Sequence, residues 1–515
     1  MIEEHNQQYF VLQNFLQSKQ TNIYNLELQL RSNLFESKQA EDLGRGLRNS
    51  SNLKQLILNL DENQLSDKGV FGFCSGLENC LNLADLTLFL KYNYICDNGA
   101  SYLGKSLGNC QNLNNLKISL SQNNIQDLGL ANFSSGFKNL NNIQNLTLDL
   151  SQNNICDQGI SALSSAIGNF QKLENLYLNL FGNSINDIGL FGLGSGLAKC
   201  PNLKNLNLNL DCNYIGGNGD KSLGTGLGMS SSLNILQISL QNNKVNQQWI
   251  SSFCHGLGKS QTISTLKLDL RYNAFKFQEE VSDFCSGLKN SQNLKIVDFD
   301  LRKNNIDSIT ANQLFKGLGS SMSLEKLKLN FRENKFGDVN EQTEGFGLNL
   351  TEFRNLKEFD IDLNQCQFSL DTVQSLGYIL QNSNQLEKVS IDLSECKIDS
   401  TAVSALGEGL KKSQNLVYLN LNLQKNFIRE EGIFTLSEGL AKCAKLNHLI
   451  ISFFQNQIDM AVFNFLGSEL INCKNLTILQ LDLNYQSVWP KRVEKFIMFE
   501  HIHKMRKLVI KDIHI

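Results

Sequence analysis

The chain has 515 residues, 41% of them hydrophobic, and 47 Lys and Arg stand against 50 Asp and Glu for a formal charge of −3. That balance excludes bulk attraction to nucleic acid or to an anionic membrane as the main mode of action. Only two prolines, Pro201 and Pro490, occur, and no Ser/Gly-rich or charged run marks a linker.

Residues 1–20 mix Glu3, Glu4, Gln7, Gln8 and Lys19 with apolar side chains, so they hold neither a signal-peptide core nor a spanning helix. An N-terminal helical cap is expected here, with Phe10, Val11, Phe15 and Leu16 on the side that covers the first strand.

Over residues 21–488 one phrase, Leu-x-x-Leu-x-Leu-x-Leu-x-x-Asn-x-Ile, is written sixteen times. Its first nine copies, from Ile23 and Leu53 to Ile263, recur every thirty residues without a slip. A fixed period of this kind outranks other signals and predicts a single elongated solenoid. Leu56, Leu58 and Leu60 alternate with Gln55, Ile57 and Asn59, as a strand with one buried face requires. Asn63 and its counterparts Asn93, Asn123 and Asn153 are expected to satisfy backbone groups at the bend that follows, with Cys366 and Cys396 as small substitutes. Asp67 with Gly69, echoed at Asp97/Gly99 and Asp157/Gly159, is expected to cap the helix that comes next. Apolar pairs four residues apart, such as Phe73/Leu77 and Leu103/Leu107, place one helical face inward. Residues 489–515 are expected to form a C-terminal cap, a closing helix followed by a seventeenth strand.

Strand, bend, helix and return to a parallel neighbour make an α/β coil. In these motifs the chain resembles the ribonuclease-inhibitor-like class of leucine-rich repeat proteins. The resemblance implies a horseshoe with a parallel concave β-sheet, convex helices and protein partners held by concave and rim residues. One departure is an extra Leu-x before the Asn, at Leu60, Leu90 and Leu120, which lengthens the strand by about 6 to 7 Å.

Eight of the thirteen cysteines occupy columns that other repeats fill with small residues: Cys80, Cys110, Cys200, Cys443 and Cys473 alternate with Ser50 and Ser230, while Cys74, Cys254 and Cys285 share another column. They read as reduced, buried packing groups of a cytosolic protein. Residues Gly99 to Ser106 match the phosphate-loop expression, yet they include Leu103 and Leu107 of the helix pair, and Gly104 lies in a repeat column with Cys74. Helix packing is the expected role of this segment, as it is for the glycine column through Gly76, Gly136 and Gly196. His501-x-His503 lacks companion ligands, so no metal is expected. Nucleophile elbows and kinase signatures are absent. Neither enzymatic activity nor a cofactor is expected.

Outward-facing strand residues define the surface. From residue 269 to 362 charge concentrates there, in Asp269, Asp298, Asp300, Asp360 and Asp362, flanked by Arg271, Arg302, Lys303 and Arg332, with Tyr272 nearby. The same stretch loses repeat regularity, with Trp249 in a glycine column and a thirty-two-residue repeat from Leu324 to Leu356. These residues are the expected docking patch for a protein partner. The expected function is a non-enzymatic binding scaffold, cytoplasmic or attached to a larger assembly such as the cytoskeleton or a cilium. A regulator of a Ran-type small GTPase is the alternative, by analogy of fold alone.

Overall fold

A computed structural model describes residues 6–514 apart from 19–20, 22, 217–222, 274, 276–284, 337–352, 459, 484–499, 503 and 506. Expectations for His503, for the closing helix near Trp489 and for the inserted residues of the thirty-two-residue repeat fall at least partly outside the described residues.

The chain divides into two compact units, residues 1–245 with 255–263 and residues 246–254 with 264–515. In the first, strand β1 (Asn6–Tyr9) is followed by β2 to β9 at Asn25–Gln29, Gln55–Asn59, Asp85–Phe89, Asn115–Ser119, Asn145–Asp149, Asn175–Asn179, Asn205–Asn209 and Ile235–Ser239. Each pairs in parallel with the next in chain order. In the second unit, β10 to β18 lie at Thr265–Asp269, Ile296–Asp300, Lys326–Asn330, Glu358–Asp362, Lys388–Asp392, Tyr418–Asn422, His448–Ser452, Ile478–Asp482 and Ile510–His514, again parallel and consecutive. Helices of up to 13 residues carry the chain from most strands to the next.

The alternation read from the sequence is what the strands bury. Leu56, Leu58 and Leu60 are fully buried, and Gln55, Ile57 and Asn59 face away. Each buried leucine contributes about 1.5 to 3 kcal/mol, so the repeated phrase supplies the core of every coil. The extra Leu-x continues the ladder beyond the strand proper: Leu60 N donates to Phe89 O at 2.8 Å and Glu62 N to Lys91 O at 2.8 Å.

Asparagines then turn the chain. Asn123 Oδ1 accepts from Asn93 N at 3.0 Å and Ile95 N at 2.9 Å, while its Nδ2 donates to Leu90 O and Leu120 O. One side-chain amide thus satisfies buried backbone groups of two repeats. Where cysteine replaces it, less is satisfied: Cys396 Sγ reaches Leu363 O at 2.9 Å but supplies no carbonyl acceptor.

Three local expectations need correction. Asp97 does not cap its own helix; it lies inside the first turn and accepts from Gln126 N of the following repeat at 2.7 Å. Asp67 and Asp127 reach forward in the same way, to Cys96 N and Cys156 N. At the N-terminus a strand precedes the helix Leu12–Gln17, because Asn6 to Tyr9 can extend the ladder of β2 through backbone groups alone. Phe10 and Val11 consequently precede that helix and are exposed, and Phe15 alone of the four expected cap residues is buried.

Candidate functional site

Strands β10 to β13 carry five of the nine candidate residues, Asp269, Asp298, Asp300, Asp360 and Asp362, at alternating positions that share one face. Parallel register sets Asp269 beside Asp300, Asp300 beside Asn330, and Asn330 beside Asp362. One column over, Lys267, Asp298, Lys328 and Asp360 alternate in sign. Arg271, Tyr272, Arg302 and Arg332 follow the strand ends and border the same surface.

Like charges directly opposed on neighbouring strands repel. The arginines relieve this. Arg271 Nε donates to Asp269 Oδ1 at 2.8 Å and also stands 3.6 Å from Asp300 Oδ2. Arg302 grips Asp300 by the same fork, with Nε 2.9 Å from Oδ1. Arg332 departs from the pattern because Asn330 replaces the aspartate; its Nε lies 3.3 Å from Glu333. Lys303 Nζ sits 5.2 Å from the centre of the Tyr272 ring and 3.1 Å from Glu333, tying the aromatic side chain into the charged mesh.

The mesh extends beyond the residues expected from the sequence. Glu358 is bridged by Lys326 at 2.7 Å and Lys388 at 2.8 Å, and Glu325 by Lys295 and Lys357. Lys326 and Lys388 hold the Glu358 carboxyl below its ordinary range. Burial has the opposite effect on Asp298 and Asp362, whose carboxyls are raised, against the pull of Lys328 and Lys267 on the former and of a hydrogen bond from Asn364 N on the latter. The alternation was present in the sequence as columns, but it becomes readable only when residues thirty to thirty-two positions apart are aligned in pairs.

The first unit presents a different surface. Asn115 donates to Asp85, and Asn145, Asn175 and Asn205 each donate to the amide before them, forming an amide ladder that ends on one carboxylate. Beside it a shallow cavity of about 420 Å³ is lined by Thr147, Tyr177, Asn207 and Gln237.

The segment that matches a phosphate loop lies within the helix Asp97–Leu107, with Leu103 and Leu107 fully buried. A Cβ on Gly104 would run into the carbonyl of Phe133 in the next helix. Its amides therefore belong to a packed helix, not to an open cradle. Among the described residues no group of three or more His, Cys, Asp or Glu side chains could hold a metal ion, and no helix is long and apolar enough to cross a membrane.

A leucine-bearing parallel strand, a buried asparagine turn and a returning helix, stacked coil after coil, decide the architecture. The fold is a leucine-rich-repeat solenoid. No family model and no curated protein matches this leucine-rich repeat sequence. Among solved structures, it is similar to an internalin from Listeria monocytogenes strain 4b F2365, at 18% identity over 81% of this chain and 89% of that one, with a TM-score of 0.40.

Proposed function

We propose that this leucine-rich repeat protein is a non-enzymatic scaffold of the ribonuclease-inhibitor-like class, and that it holds a protein partner on the face of β10 to β13. The observation that carries this reading is the ordered charge mesh. Asp269, Arg271, Asp300 and Arg302 are already fixed by ion pairs while 22–33% of each side chain stays exposed. A surface whose long side chains are held before contact loses little conformational entropy on docking. Alternating signs then select partners of matching pattern and speed their approach, more than they add affinity. In this reading the scaffold works in the cytoplasm, within a larger assembly such as the cytoskeleton or a cilium.

The test is affinity capture from the native cell followed by mass spectrometry, then binding kinetics with the purified partner. The double variant Asp300→Lys/Asp362→Lys should fold normally, capture the partner more slowly and change the salt dependence of capture. Unchanged kinetics in that variant, with binding lost when Phe89, Tyr92, Tyr177 and Phe181 are replaced, would place the site in the first unit.

A further inference from the structure

Two cysteines face each other in the second unit. Cys254 lies in the helix Gln247–Leu257, and Cys285 immediately precedes the 3-10 turn Ser286–Asn290. Both are fully buried, and their Sγ atoms are 3.3 Å apart. Other cysteines one repeat apart do not meet in this way. Cys80 Sγ points to Leu47 O and Cys110 Sγ to Leu77 O; Cys443 and Cys473 likewise point to Leu410 O and Leu440 O. In those pairs each thiol is engaged by a carbonyl of the preceding repeat.

A disulfide has its sulfurs about 2.05 Å apart, so Cys254 and Cys285 need to approach by little more than about 1 Å. Cys285 is also held at φ 59, ψ 1, a left-handed conformation that a non-glycine residue keeps only when its surroundings impose it. Its side chain is thus directed by the backbone and by the packing around it.

We propose that Cys254 and Cys285 form a modification site at which a small peroxide-class oxidant closes an inter-repeat disulfide. One sulfur attacks a peroxide oxygen, the O–O bond breaks, and a sulfenic acid and one water result. The second sulfur then attacks the sulfenic sulfur; the S–S bond forms, the S–O bond breaks, and hydroxide leaves as water with the second thiol proton. Two thiols lose two electrons in all, and one hydrogen peroxide becomes two waters. Burial, reinforced by the contact with Cys254, raises the Cys285 thiol well above its ordinary range. Closure is therefore slow and requires an oxidant small and uncharged enough to enter the packed repeat.

The test treats the native full-length protein with hydrogen peroxide, alkylates the remaining thiols and maps peptides by mass spectrometry without reduction. The expected product is a Cys254–Cys285 linked pair, two hydrogens lighter than the separate peptides and released by dithiothreitol. The melting temperature should rise on oxidation and return on reduction. Cys254→Ser, a residue that the same column carries at Ser134 and Ser164, should abolish both the linkage and the shift. The proposal is overturned if the exposed thiols of Cys96 and Cys156 oxidise while no Cys254–Cys285 linkage forms. It is equally overturned if Cys80–Cys110 and Cys443–Cys473 link at the same rate.

Discussion

Asp157 and Gly189 stand in successive repeats and are fitted to one another. Asp157 Oδ1 accepts from Asn186 N at 2.9 Å and from Gly189 N at 3.0 Å, and a Cβ on Gly189 would lie 2.6 Å from that oxygen. The Asp-x-Gly signature is therefore a contact between repeats: the aspartate of one coil caps the loop of the next, and the glycine there leaves room for it. Asp157→Ala should destabilise by about 1 to 2 kcal/mol, as a lost cap does. Gly189→Ala should destabilise too, and the double variant should lose less than the sum of the two single changes, by about 0.5 kcal/mol or more. Urea denaturation of the four proteins measures this; strict additivity would show that the two residues do not interact.

The same pair shows where reading the sequence stops. Asp and Gly recur two residues apart, so a local cap is the natural inference, and nothing in one repeat reveals that the partner amide lies 29 residues on. Strands and buried leucines were legible because period two is a local property. The clustering of Asp269, Asp300 and Asp362 was legible for the same reason. Their pairing with Arg271 and Arg302, and the lysines that bridge Glu358, depend on parallel register and emerge only from the stacked coils. Left-handed residues were not legible either. Glu62, Tyr92, Gln122 and Lys303, each just before the bend asparagine of its repeat, have φ between 54 and 56, although only Gly182 in that column is a glycine.

The bend asparagine should be hard to replace. Asn123→Ala would strand the buried amides of Asn93 and Ile95 and the carbonyl of Leu90, while Leu120 O keeps its bond from Asn153 Nδ2. At about 1 to 3 kcal/mol for each buried group left unsatisfied, a loss of several kcal/mol is expected. Thermal unfolding followed by circular dichroism reads it. A loss below about 1 kcal/mol, the size of an average single hydrogen bond, would mean that water replaces the amide.

Three substitutions separate packing from phosphate chemistry in the helix Asp97–Leu107. Leu103→Ala should destabilise by about 2 to 5 kcal/mol, and Gly104→Ala by about 1 to 3 kcal/mol through overpacking against Phe133. Lys105 is exposed, so Lys105→Ala should be nearly neutral. Calorimetric titration with ATP and GTP should show no saturable heat in the wild type; binding that disappears with Lys105→Ala would contradict the helix-packing role.

Asp298 and Asp362 set a pH dependence. Burial raises both carboxyls in the folded state, so the folded protein holds those protons more tightly than the unfolded chain does. Their unfavourable contribution is absent below the ordinary carboxylate range and grows as pH rises through the folded-state value. Asp362→Asn should therefore raise the unfolding free energy at pH 7, by less than about 1 kcal/mol once solvent screening is counted. At pH 3 the difference should vanish. A variant less stable than wild type at pH 7 would show that the ionised carboxylate is favoured by Arg332 and Arg302 after all.

Cross-linking mass spectrometry of the protein captured with its partner most directly tests whether the charged face of β10 to β13 is the docking surface. An amine-reactive reagent reports on Lys267, Lys303 and Lys328 in or beside that face, and on Lys54, Lys91 and Lys117 in or beside the strands of the first unit. Links from the partner should concentrate on Lys267, Lys303 and Lys328 and form more slowly with Asp300→Lys/Asp362→Lys. Links concentrated on Lys54, Lys91 and Lys117, and unaffected by that variant, would contradict the assignment.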